Sequence, residues 1–104
     1  MNTTCGCKEY VDNASHVRGL AVVYDDYEAQ IHHHPVDEEY DIVYGTTRLH
    51  IGGVETIVSA PYKVWIPAGV PHTMKPVSRF CIMRYYFPQG PIKDIPYTWL
   101  ESRL

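Results

Sequence analysis

Residues 32–45 read His32-His33-His34-Pro35-Val36-Asp37-Glu38-Glu39-Tyr40-Asp41-Ile42-Val43-Tyr44-Gly45, and this stretch decides the fold. In an extended strand the side chains alternate between faces, so His32 and His34 share one face and His33 takes the other. Pro35 ends or bends that strand. A second run starts at Glu38 and closes at Gly45. Two imidazoles with a carboxylate folded back over them make a mixed nitrogen and oxygen site. Its donors suit iron, manganese, nickel or zinc.

A second fragment belongs with the first. Pro67-Ala68-Gly69-Val70-Pro71-His72 is a tight loop that delivers His72 just after an expected strand, Tyr62 to Ile66. With these residues on the page, the chain resembles the cupin superfamily. Its first motif, His-x-His, three or four residues, Glu, six residues, Gly, falls on His32, His34, Glu38 and Gly45. Its second, Pro-x-Gly-x-x-His, falls on Pro67, Gly69 and His72. The resemblance spans roughly residues 19–87. It departs at three turn positions, where Asp26, Pro61 and Pro76 stand in place of glycine, glycine and asparagine. The resemblance implies an RmlC-like small cupin, often dimeric, with His32, His34, Glu38 and His72 holding one divalent transition metal per chain (Fe, Mn, Ni or Zn). The six-residue gap before Gly45 selects Glu38 over Asp37 and Glu39. Asp37 is then read as a solvated turn residue and His33 as an outer-face or interface residue.

Working outward, the whole chain fits one all-β domain. It has 104 residues, 45% hydrophobic and 20% charged, which is one domain by size and ordinary for a globular protein. Nine tyrosines and two tryptophans favour strands, and eight prolines with seven glycines mark many turns. Strands are expected at Lys8–Val11, Gly19–Tyr24, Tyr27–His34, Glu38–Tyr44, Thr46–Ile51, Val54–Ser59, Tyr62–Ile66, Pro71–Lys75 and Arg79–Phe87. Gly52-Gly53 gives a hairpin turn. The expected architecture is a double-stranded β-helix, or jelly-roll barrel. Irregular segments, 1–18 and 88–104, flank it. Thr98-Trp99-Leu100-Glu101 fits a capping box and so a short C-terminal helical turn. Trp99 and Leu100 would pack on the barrel or on a second subunit, and a homodimer is the expected assembly.

Face parity names the pocket. Gln30 shares the face of His32, Tyr40 that of Glu38, and Met74 that of His72. Arg84 lies in the last long strand. Turned inward it would grip a substrate carboxylate in a bidentate fork; turned outward it would reach solvent. Glu38, Tyr40 and Arg84 are therefore the catalytic candidates.

Charge and composition exclude several classes. The net charge is −3 and no basic stripe marks a nucleic-acid binder. No apolar run can span a membrane and no secretion signal opens the sequence, so a cytoplasmic protein is expected. Three cysteines make no disulfide framework. Cys5 and Cys7 read as tail thiols and Cys81 as a small core residue. No phosphate loop or nucleophile elbow is present. A bound metal is the remaining source of reactivity. The leading expectation is a metal-dependent enzyme on a small hydroxy acid, keto acid or sugar, of isomerase, lyase, decarboxylase or dioxygenase type. The alternatives are a non-catalytic module that clamps ligand oxygens through the metal, and a purely structural ion.

Overall fold

The computed structural model describes residues 7–11 and 17–104. Cys5 lies outside the described residues, as does most of the 1–18 segment. Among the described residues ten strands form two five-stranded sheets. In chain order they are β1 Cys7–Val11, β2 Arg18–Tyr24, β3 Gln30–His33, β4 Glu38–Tyr44, β5 Thr46–Ile51, β6 Val54–Ser59, β7 Tyr62–Ile66, β8 His72–Pro76, β9 Phe80–Tyr86 and β10 Thr98–Arg103. One sheet runs β1-β2-β9-β4-β7 and the other β10-β3-β8-β5-β6, with every pairing antiparallel. Hydrophobic alternation drives the closure. Ala21 and Val23 on β2, Tyr40 and Ile42 on β4, and Cys81, Met83 and Tyr85 on β9 are buried, as are Leu49 and Met74 of the facing sheet. The two inner faces share one core, as a jelly roll requires. Cys81 is fully buried there, a core residue as expected.

Gly45 turns β4 into β5 with φ +96°, a conformation costly for side-chain-bearing residues. A Cβ at this point would press on the Phe80 carbonyl and Cys81 Sγ. The motif glycine is thus both a turn and a close approach.

The C-terminal segment differs from its expected detail. It does contain one helical turn, a 3-10 turn at Ile92–Asp94. The capping box at Thr98–Glu101, however, forms strand β10 instead. Sheet pairing wins over the local capping signal, because β3 would otherwise be an open edge beside the metal motif. Trp99 and Leu100 are accordingly half-buried on their own barrel, the first of the two placements expected for them. Strand β3 is shorter than expected. It begins at Gln30 because Ala29 takes φ +52° and breaks the extended run.

No helix of the described residues is long and apolar enough to cross a membrane.

Candidate metal centre

The site is assembled across both sheets. Strand β4 of one sheet carries Glu38, while β3 and its exit carry His32 and His34, and β8 carries His72. His32 and His72 stand directly opposite each other in the β3–β8 pair. The two motif loops are tied together. The Gly69 amide donates to the His34 carbonyl at 2.8 Å and the Ala68 amide to Asp37 Oδ1 at 2.8 Å. Gln89 Nε2 also donates to Asp37, and Gln89 Oε1 accepts from the Asp37 amide. Asp37 is therefore a brace between the loops, where a solvated turn residue was expected. That bracing fixes where β8 starts and so where His72 points.

His34, Glu38 and His72 are all buried, and their ligating atoms lie within 4.8 Å of one another. Glu38 Oε1 is 3.0 Å from His34 Nε2 and 3.1 Å from His72 Nε2. Each ring is fixed from behind. Nδ1 of His34 sits 2.8 Å from the Val36 carbonyl and Nδ1 of His72 sits 2.8 Å from the Val70 carbonyl. A nitrogen facing a carbonyl must carry a proton, so Nε2 is left with its lone pair in the neutral ring. Without a cation each of the two nitrogen–carboxylate contacts needs its own proton, on a ring or on Glu38. That would bury a net charge at a cost of several kcal/mol. A cation between the three donors removes the conflict. Two imidazole nitrogens backed by carbonyls plus a carboxylate are the donor set of a divalent transition ion, so the residues present fit one.

His32 is buried but stands outside this group of three. Its Nδ1 faces the Gln30 carbonyl at 3.1 Å, which again leaves Nε2 as the lone-pair nitrogen. Its ring lies 4.5 Å from that of His72 and 4.6 Å from that of Trp99. Burial, then the charge of His72, pull its pKa down to about 4, so it is neutral and ligand-ready far into acid. Burial opposes the charging of His34 and Glu38, but their mutual bond and attraction outweigh it, raising His34 and lowering Glu38. His33 is half-buried, pairs with Thr98 of β10 and takes no part in the group.

A cavity of about 620 Å³ opens beside the group, and both His32 and Glu38 line it. Tyr40 and Met74 also line it, as their face parity requires. Gln30 does not. Its Nε2 donates to the Leu100 carbonyl at 2.5 Å, because β10 lies alongside β3 and captures the amide. Arg84 is corrected too. It is exposed on the outer face of its sheet, opposite Asp41, while Cys81, Met83 and Tyr85 supply the inward positions of β9. An unpaired guanidinium among those residues would be prohibitively costly.

Sequence reasoning missed Glu9, Tyr85, Tyr97 and Trp99 as cavity residues. Tyr85 was legible, since it shares the inward parity of Cys81 and Met83. Glu9, Tyr97 and Trp99 depend on which strands lie next to one another, and no local signal encodes that.

The class follows from this arrangement. The fold is the cupin jelly roll, with both cupin motifs on the facing sheets. Solved structures bear this out. An RmlC-like cupin from Shewanella frigidimarina superposes with a TM-score of 0.70 at 19% identity, covering 88% of this chain and 81% of that one. Salicylate 1,2-dioxygenase from Pseudoaminobacter salicylatoxidans, with gentisate, superposes with a TM-score of 0.74 at 12% identity, covering 95% and 30%. A structure of the DMSP lyases RdDddP and RnDddQII gives a TM-score of 0.68 at 15% identity, covering 81% and 43%. The chain thus spans less than half the length of these dioxygenase and lyase chains. No family model and no curated protein matches it.

Proposed function

We propose that the protein is a mononuclear metal-dependent cupin enzyme acting on a small polar molecule. His34, Glu38 and His72 hold one divalent transition ion, Fe, Mn, Ni or Zn, and His32 completes the set. The observation that carries this reading is the backing of each imidazole by a backbone carbonyl, which leaves three nitrogen lone pairs and a carboxylate with no proton to share. The ion would supply Lewis acidity or redox chemistry at positions open to the cavity. Tyr40, its ring centroid 5.6 Å from that of His72, shapes the cavity wall beside the ligands and is a polar side chain placed to orient a substrate there. The neighbours named above include a dioxygenase and lyases, which supports an enzymatic reading without selecting the reaction.

The test is turnover at saturating metal with hydroxy acids, keto acids and sugars, for the native protein and Glu38→Gln. Loss of turnover beyond the loss of occupancy supports catalysis, since charge at the ion sets its electrostatics. Ligand affinity falling in step with occupancy, with no turnover, would instead mark the non-catalytic binding module.

A further inference from the structure

We propose that the outer end of this cavity binds an organic cation of the ammonium class, held between the Glu9 carboxylate and a wall of aromatic rings. The proposal deepens the reading above: the ligand's oxygen end would face the metal and its cationic end the rim.

Strand register places Glu9. It stands opposite Ala21, which stands opposite Met83, which stands opposite Ile42. Directly opposed residues share a face, and the other three members of this row are buried in the core. An acidic side chain thus lines the cavity from an edge strand at an inward register position, at the solvent-exposed end of the row. Inward charges on edge strands also discourage edge-to-edge pairing. Glu9 goes further, because it shares the cavity wall with Tyr85. Gly19 makes room for that ring. A Cβ on Gly19 would collide with the Tyr85 ring and hydroxyl, so the missing side chain is what lets Tyr85 lie across β2 towards β1.

The remaining wall has the matching chemistry. Tyr27, Tyr40, Tyr85, Tyr97 and Trp99 line the cavity, and Tyr97 stacks on Trp99 at 5.7 Å with 17° between the planes. Among the described residues, no lysine or arginine lines it. Glu38 has its histidines and the ion. Among the described residues, Glu9 has no cationic partner in the wall. Aromatic faces beside an unmatched carboxylate attract a desolvated organic cation by cation–π and ionic terms together. A carboxylate or phosphate at this end would instead meet Glu9 with no compensating charge.

The experiment is titration calorimetry of the zinc-loaded protein with glycine betaine and with 3,3-dimethylbutanoate, its isostere in which a neutral tert-butyl group replaces the trimethylammonium. The proposal predicts that betaine binds about tenfold tighter or more, and that Glu9→Gln brings betaine down to the isostere's affinity without changing metal content. Equal binding of the two in the native protein, an unchanged preference in Glu9→Gln, or binding of neither would overturn it. Choline against 3,3-dimethylbutan-1-ol, titrated into metal-free protein, separates the two readings. A cation preference there in a protein that takes up no metal would sink the metal centre and leave the rim site standing.

Discussion

Trp99 lies directly opposite His32 across the β10–β3 pair, with their ring centroids 4.6 Å apart. The C-terminal strand is therefore part of the site. It covers the edge of β3 and backs one of the proposed ligand rings with an indole. Trp99→Ala should lower stability by about 2 kcal/mol, less than a fully buried tryptophan would cost. Removing residues 97–104 should do more, because it bares the β3 edge and invites aggregation. Denaturant melts and sedimentation of both variants check this. A truncated protein as stable and as well dispersed as the native chain would show that the strand is dispensable.

The loop brace gives a second prediction. Asp37→Ala frees the Ala68 amide and Gln89 together. His72 should then be less well positioned, and metal affinity should fall by about 10- to 100-fold, the usual cost of losing support behind ligands. Competition with a metal-binding dye measures it. Asp37→Asn, which retains one acceptor oxygen, should fall less. Equal affinities in all three proteins would mean that the loops hold themselves.

Gly19 gives a third. Gly19→Ala should displace Tyr85 and cost about 1–3 kcal/mol, as overpacking does. Tyr85→Phe should restore most of that loss in the double variant only if the clash is with the hydroxyl, which meets the added Cβ together with two ring carbons. The expectation is partial rescue, read from thermal melts of the three variants. Additive losses would contradict the contact.

How much of this was legible follows from which residues speak locally. The ligands were readable because strand parity and motif spacing are local: His32 and His34 two apart, Glu38 separated from Gly45 by six residues, and His72 behind a Pro-Gly loop. Strand bounds from β4 to β7 were readable for the same reason, each being closed by Gly or Pro. Gln30 and Arg84 were not. The amide of Gln30 goes to Leu100, seventy residues away, and the direction of Arg84 depends on which parity of β9 meets the core. The tail misled because Thr98 to Glu101 satisfies a capping pattern in isolation, whereas an open β3 edge decides its structure. Glu9 sits in a polar stretch, and nothing there shows that it stands opposite Ala21.

Acid should weaken the metal-free fold through His32. Folded, His32 takes up its proton only near about 4, because burial and then the charge of His72 disfavour the charged ring. In the unfolded chain it protonates near about 6.5. Between those values the unfolded state binds the proton and the folded state does not. Stability therefore falls as pH drops through that window, by up to roughly 3 kcal/mol. His34 runs the other way, since Glu38 raises it: its contribution is full below its unfolded value and fades as pH rises through the folded one. Denaturant melts of chelator-treated protein from about pH 7 to about pH 4 should fall more steeply for the native chain than for His32→Asn. Parallel curves would remove His32 from the account.

The central claim is that imidazoles and a carboxylate brought together from the two facing sheets hold an ion. Metal analysis of tag-free protein, native and after removal and reloading, tests it most directly. We predict about one divalent transition metal per chain. Occupancy should drop strongly in His34→Ala and His72→Ala, clearly in His32→Ala, and not in His33→Ala. A native protein that takes up none of iron, manganese, nickel or zinc, or a His33→Ala variant that loses metal as readily as its neighbours, would contradict the account.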